Sequence, residues 1–144
     1  MRDMRTTCLA LLSVGVLSCS SVAPIKVATG EQCFRCRRPI IDTRFATETI
    51  EGDRTRIVSK FRGPGCMAKY LAAHPTEEAV IFVTDYASGR MIAPAEAFYV
   101  IETVDRNTRE TEYRAYGREA DAKAAATQLN TTLVSWNSVL ERAR

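Results

Sequence analysis

Three cysteines of this chain have the residue type and spacing for metal or redox chemistry. Cys33 and Cys36 stand in the basic stretch EQCFRCRRPI, and Cys66 follows in GPGCMAKYL. A thiol pair at the CxxC spacing can bind a metal ion, exchange electrons with another dithiol or close a small disulfide. Three thiolates at one point suit a soft ion such as Cu(I), or supply three of the four ligands of a zinc site. Hard cations are excluded by the ligand type.

The elements around the cysteines decide whether the three sulfurs can meet. The CxxC pair lies in a loop before a predicted strand at 44–50, and Cys66 lies near the start of a predicted helix within 63–75. In a hairpin-and-helix unit, such a loop can fold over the helix N-terminus, where the helix dipole and free N–H groups stabilise a thiolate. We therefore expect Cys33 and Cys36 to approach Cys66.

Other sulfur and nitrogen ligands are placed less favourably. Met67 follows Cys66 directly, but on a helix its side chain points about 100° away, which favours a place in the core. Met91 lies in a turn-rich connector, from which it can either reach a metal site or pack. His74 is the only histidine, and it ends the predicted helix just before a proline, where we expect it to be solvated.

Two interpretations without a metal remain open. In an oxidising compartment Cys33 and Cys36 can form a disulfide, and Cys66 can be a small buried hydrophobic residue. A thiol oxidoreductase of the thioredoxin type needs its CxxC after a buried strand and at a helix N-terminus. Here KVATGEQ precedes the pair and a predicted strand follows it, which argues against that class. With a single histidine far from any nucleophile, a hydrolase is disfavoured too, and we predict no enzymatic activity.

The N-terminus predicts export and a lipid anchor. The basic start MRDMR precedes an apolar run over residues 8–17, which at about ten residues is too short to span a membrane. The string VLSC, which ends at Cys19, resembles a bacterial lipobox and predicts a signal peptide over residues 1–18 with lipidation of Cys19. An ordinary secretory signal with an incidental cysteine is the alternative. We expect the chain in the cell envelope, held at the outer membrane and facing the periplasm in a Gram-negative host.

Composition limits the possible functions. The 144 residues include 20 basic and 17 acidic side chains, and the net charge of +3 is too small and too evenly spread to indicate nucleic-acid binding. Five cysteines become three free thiols after export and lipidation. An odd number in an oxidising compartment suggests that at least one thiol stays available.

An order of strand, strand, helix, strand occurs twice, after a tether predicted at 19–31. The first unit is predicted over 32–89, with strands at 44–50, 55–61 and 79–86 and a helix within 63–75. The second is predicted over 90–144, with strands at 97–104, 111–117 and 132–136, a helix at 118–130 and a terminal turn capped by Asn137. Because units of about 50 residues are too small to be stable singly, we expect an α+β fold in which two ββαβ units pack together.

Two further details of these elements are expected. The strand at 79–86 is apolar without alternation, which is typical of a strand buried on both faces. Asn130 suits the left-handed position that ends a helix. A short strand is also expected around Met91.

Several strings together resemble a known family. They are CFRC followed by PII and RFA, then GCMAKYL, VTDYASGRMI and AEAFYV, and they are spread over residues 33–140. In their order and spacing they resemble the NosL family, lipoproteins that accompany nitrous oxide reductase and are regarded as copper chaperones. That family's architecture of two similar ββαβ units agrees with the repeat.

The resemblance implies a protein that takes up Cu(I) and passes it to a copper enzyme such as nitrous oxide reductase, or to its ABC-type maturation transporter. Cys33, Cys36, Cys66 and Met67 match family sulfur positions. Zinc is the alternative ion, and no metal is expected if the CxxC pair is a disulfide. Family members usually have a methionine two residues after the second cysteine, where this chain has Arg38, and EYRAYG lacks the methionine common near the late hairpin.

Overall fold

Strands and helices follow one another in a repeated order in the computed structural model, which describes residues 22–52, 55–75, 78–105 and 110–144. The predicted signal peptide and Cys19 lie outside these residues. No helix in the described ranges is long and apolar enough to cross a membrane. The elements are β1 Thr47–Glu51, β2 Ile57–Phe61, α1 Pro64–Ala73, β3 Val80–Thr84, β4 Met91–Ile92, a 3₁₀ turn Pro94–Glu96, β5 Phe98–Asp105, β6 Glu110–Tyr116, α2 Glu119–Gln128, β7 Leu133–Val134 and α3 Trp136–Glu141.

The strands form two antiparallel sheets with the same internal order. In the first sheet β1 is central, between β2 and β3, and β4 extends the sheet beyond β3. In the second sheet β5 is central, between β6 and β7. In each sheet, therefore, the first strand of the unit pairs with the second and the third. The α+β fold and the twice-used ββαβ order are confirmed.

The two sheets share one hydrophobic core. Helix α1 of the first unit packs against β6 and α3 of the second unit. Met67 of α1 is fully buried in the same cluster as Tyr113 of β6 and Val139 of α3. A backbone bond also joins the units, because the N–H of Tyr86 donates to the carbonyl of Ala115 at 2.7 Å. The alanine-rich helix α2 packs against its own sheet instead.

Three strands differ from their predicted form. The strand predicted at 132–136 is limited to Leu133–Val134, because Ser135 caps α3 and Trp136 begins it. The strand predicted at 44–50 begins only at Thr47, because a turn precedes it in which the N–H of Phe45 donates to the carbonyl of Asp42. The prediction that β3 is buried along its whole length is wrong. Its last two residues, Val83–Thr84, are buried, but Val80 is exposed. Helix α1 lies mainly against β6 and α3, so it leaves the first half of β3 partly uncovered.

The helix ends confirm one prediction and correct another. Asn130 has a left-handed backbone with φ of 50°, as predicted for the residues that follow α2. The predicted cap at Asn137 is wrong, because Asn137 lies inside α3. Ser135 caps this helix, and its Oγ accepts the N–H of Ser138 at 3.2 Å. The hydroxyl of Ser135 is the first side-chain acceptor that the extended backbone offers to the helix start.

Residues 25–31, predicted as part of the tether, lie against the first sheet. The N–H of Ile25 donates to Oε1 of Glu48 in β1 at 2.7 Å, and the side chain of Val27 is buried in the core. Glu48 is fully buried, its Oε2 has no hydrogen-bond partner among the described residues, and burial raises the pKa of this carboxyl. The chain therefore joins the fold at Ile25, before the cysteine loop begins.

Candidate metal centre

Three cysteine sulfurs converge where the loop before β1 meets the start of α1. The Sγ atoms of Cys33, Cys36 and Cys66 lie within 4.8 Å of one another, and those of Cys33 and Cys66 are 3.4 Å apart. All three thiols are free. The structure therefore brings together the sulfurs that the sequence expected to meet.

A closed hairpin positions the two loop cysteines. The N–H of Gly30 donates to the carbonyl of Ile40 at 2.9 Å, and the N–H of Cys33 donates to the carbonyl of Arg38 at 2.9 Å. Arg37, at the turn of this hairpin, has a left-handed backbone with φ of 60°, which turns the chain back on itself. The hairpin thus holds the CxxC segment by its own backbone bonds.

Phe34 attaches this hairpin to the edge of the first sheet and to α1. Its N–H donates to the carbonyl of Lys60 in β2 at 2.7 Å. Its ring meets the rings of Phe61 and Tyr70 edge-on, with centroids 6.2 Å and 5.4 Å away. Because β2 is an outer strand of the sheet, the loop extends the sheet edge and covers the start of α1.

Cys66 lies in the first turn of α1, and a carboxylate of the second unit holds this turn in place. The helix begins at Pro64, where the missing N–H of proline leaves no donor unpaired. Oε1 of the buried Glu112 accepts the N–H of Gly65 at 2.7 Å. A Cβ at Gly63 or Gly65 would overlap groups of β6, including this carboxylate. Both glycines are therefore needed for the close approach of β6 to the helix start.

The side chains of Cys33 and Cys66 are hydrogen-bonded to each other. The hydrogen bond with Cys66 and the backbone N–H groups of Cys36 and Arg62 lower the pKa of Cys33 far below its usual range despite burial. The hydrogen bond to Cys33, together with burial, raises the pKa of Cys66. Negative charge in this pair is therefore favoured on Cys33, and a metal ion that binds both sulfurs must displace any proton that they hold.

Four cationic side chains surround a single carboxylate beside the thiols. The nitrogens of Arg35, Arg38, Arg62 and Lys69 lie 3.9, 3.9, 3.4 and 3.7 Å from the carboxylate of Glu110. These groups are partly exposed, so each ion pair alone contributes little stability. Their excess positive charge favours ionised thiols nearby. Arg38 of the cysteine loop belongs to this cluster.

The three sulfurs are not equally accessible. Cys33 is 0% and Cys66 5% exposed, whereas Cys36 is partly exposed. Nη1 of Arg35 lies 3.9 Å from Sγ of Cys66 and screens that sulfur. An incoming ligand or partner therefore reaches the cluster first at Cys36.

The other predicted or considered ligands lie in different places. Met67 follows Cys66 but is fully buried in the core. Met91 lies in β4, at the opposite edge of the first sheet from β2, three strand spacings or about 14 Å away. His74 follows the last residue of α1, about 12 Å along the helix axis from Cys66. Met91 and His74 do not join the sulfur cluster.

Glu110 and Glu112 are site residues that the sequence does not identify. Both stand in β6, whose string ETEYRAY has the ordinary composition of an exposed hairpin strand. The pair of glycines around Pro64 is the sequence feature that could have indicated a contact partner for the start of α1, because two small residues at a helix start indicate a close neighbour.

Comparison with known proteins supports the fold. The crystal structure of the copper chaperone NosL from Shewanella denitrificans is similar over 79% of this chain and 96% of that chain, with a TM-score of 0.58 and 15% sequence identity. No family model matches the sequence, and no curated protein does. This likeness shows a NosL-like fold.

Proposed function

We propose that this chain binds one Cu(I) ion through Cys33, Cys36 and Cys66. The observation that carries the proposal is the convergence of the three Sγ atoms within 4.8 Å. Cu(I) prefers soft thiolate ligands and accepts a low coordination number. Zinc is the alternative ion, but it requires a fourth ligand, and the cluster of described residues offers three cysteines.

The binding would serve transfer rather than catalysis. Two of the sulfurs are buried and Cys36 is partly exposed, so ligands can exchange at one side of the ion. The fold is similar to that of a copper chaperone. The recipient in this proposal is a copper enzyme such as nitrous oxide reductase, or the ABC-type transporter that matures it.

The proposed location is the cell envelope, with the mature chain anchored through lipid on Cys19. The support is the string VLSC at the end of the apolar run. Two or three acyl chains give stable membrane attachment, whereas one gives only marginal binding.

A second candidate is an envelope lipoprotein without a metal, in which two thiols are oxidised. The sequence suggests Cys33 with Cys36, but the 3.4 Å separation favours Cys33 with Cys66 as the pair that would join. Thiol titration and peptide mapping of protein isolated without reductant separate the candidates, because a chain purified with three free thiols argues against the disulfide.

The test of copper binding is an anaerobic Cu(I) titration of the reduced mature protein against a chromogenic chelator. We expect about one Cu(I) per chain, and Cys66→Ser should lower the affinity by more than about 100-fold, since only two thiolates remain. Met67→Leu is the matched control: it conserves volume in the adjacent buried position and should keep the affinity. Absence of stoichiometric uptake after full reduction would refute the proposal.

A further inference from the structure

We propose that the exposed side of the cysteine loop is a docking face for an acidic peptide segment of the protein that exchanges the metal ion. We define this loop face by the side chains around Cys36, namely Phe34, Arg35, Arg37 and Arg38, all of which are exposed. This inference rests on the proposed function in one respect: exchange of the metal ion is the reason why a partner would dock here. The docking itself can be measured without copper.

Charge is the first observation that points to an acidic partner. The four cations around Glu110 exceed that carboxylate by three charges. Arg37 adds a further cation on the same loop. These cations therefore place a local excess of positive charge beside the sulfur cluster, and such a field attracts an acidic surface and repels a basic one.

The side chains of the loop face also have the composition of a protein contact. Phe34 is 41% exposed although it lies between the two cysteines of the pair. The guanidinium of Arg37 stands 5.5 Å from the centroid of the Phe34 ring. Aromatic residues and arginines dominate binding energy at protein interfaces, and a guanidinium binds a carboxylate through two parallel hydrogen bonds. A peptide that carries Glu or Asp beside an apolar residue fits this combination.

The position of Arg38 relates the positive charge of the loop face to the exchange of the metal ion. Its side chain is 51% exposed, and it pairs with Glu110 at a distance of 3.9 Å, which leaves the guanidinium open to a second carboxylate. The bare cations on this side disfavour the approach of a hydrated metal cation. Exchange with an acidic partner whose own ligands reach Cys36 avoids that repulsion.

The test measures binding of fluorescent peptides to the reduced, metal-free mature chain by anisotropy. One peptide contains four Glu around a Ser-x-x-Ser core, and the other has Gln at the same four positions, so neither can take a metal through sulfur. At low ionic strength we expect the Glu peptide to bind at least about 10-fold more tightly than the Gln peptide, and this difference should vanish at high salt. Equal binding of the two peptides would overturn the proposal.

Matched variants place the effect on the loop face. The Arg37→Glu, Arg38→Glu double variant should abolish the preference for the Glu peptide, and Arg38→Gln should reduce it without reversing a charge. Arg90→Glu makes the same charge change at an exposed residue beside β4, and it should keep the preference. An equal loss in Arg90→Glu would show a general charge effect and refute the loop face. Unfolding curves of each variant show whether the fold is intact.

An anionic membrane is the competing occupant of a basic face. Binding of the same variants to phosphatidylglycerol vesicles and to neutral phosphatidylcholine vesicles distinguishes it. If the loop variants lose vesicle binding while the wild-type chain shows no preference for the Glu peptide, the proposal is wrong and the face binds lipid. Because no copper enters these measurements, their outcome is independent of the Cu(I) titration.

Discussion

Glu112 of β6 accepts the backbone N–H of Gly65 at 2.7 Å, one residue before the thiol of Cys66. This bond crosses from the second unit to the first. The first turn of α1, which carries Cys66, is thus positioned by a strand of the second unit, and that unit contributes no cysteine to the cluster.

The pH dependence of stability should report the burial of Glu112. Burial raises its pKa to about 7 from 4.5, so between these pH values the folded state binds more protons than the unfolded state. The free energy of unfolding should therefore fall as pH rises through this window, by about 3 kcal/mol from this group. Glu112→Gln keeps an acceptor for Gly65 without ionising.

Urea unfolding of the reduced, metal-free protein at pH 5, 6 and 7.5 tests this prediction. The variant should gain stability relative to the wild type as pH rises, and the thiols titrate in both proteins, so their contribution cancels in the difference. A difference that is the same at all three pH values would contradict the assignment of the raised pKa to Glu112.

A methyl group at Gly65 should disturb both the fold and the metal site. Its Cβ would overlap the carbonyl oxygen of Thr111 and lie 3.1 Å from Oε1 of Glu112. Backbone atoms cannot move aside cheaply, so we expect Gly65→Ala to destabilise the protein by about 1–3 kcal/mol and to weaken Cu(I) binding through displacement of Cys66.

Gly117→Ala is the matched control for Gly65→Ala. A Cβ at Gly117 meets its nearest atoms at 3.5 Å, which is ordinary contact, and we expect a change within about 0.5 kcal/mol. Thermal unfolding and Cu(I) titration of both variants provide the measurement. Equal effects of the two substitutions would show that the contact with β6 is not what restricts Gly65.

Truncation of the mature chain after Gly89 should leave a first unit that does not fold cooperatively. It removes β6 and α3, and with them Glu112, Tyr113 and Val139, which cover α1. The face of α1 that these residues cover in the full chain is then exposed to solvent, and a unit of this size rarely supplies a sufficient core. A sigmoidal urea transition in the fragment, with the full mature chain as reference, would count against the shared core.

Cys19→Ser should leave an unlipidated precursor that no longer partitions into detergent. Cys8→Ser is the matched control, since it changes a cysteine within the apolar run and should leave lipidation intact. Mass spectrometry of the membrane fraction identifies the mature N-terminus. A mature start elsewhere, with an unmodified Cys19, would refute the lipoprotein prediction.

The convergence of the cysteines can be predicted from sequence because its causes are local. A loop that precedes a strand and a thiol in the first turn of the following helix are visible in the order of elements. The repeated ββαβ order is visible for the same reason, since turns and apolar periodicity mark each strand and helix separately. The left-handed Asn130 follows from its residue type alone.

The support of the site cannot be predicted in this way because it comes from the other unit. Nothing in the alternation of β6 distinguishes Glu112, which is buried, from Glu110, which pairs with four cations. Their roles depend on α1 packing across to the second sheet, and the same packing explains why Val80 is exposed in an apolar strand. The cap at Ser135 was missed because a second capping residue stands two positions later.

The attachment of Ile25 to Glu48 also has a mechanical consequence. Any pull on the chain from the N-terminal side of Pro24 reaches the folded part first at this hydrogen bond and at the buried side chain of Val27. The hairpin closed by the hydrogen bond between Gly30 and Ile40 follows this attachment in the chain. Tension from the N-terminal side therefore acts on this attachment before it acts on the hairpin that spaces the sulfurs.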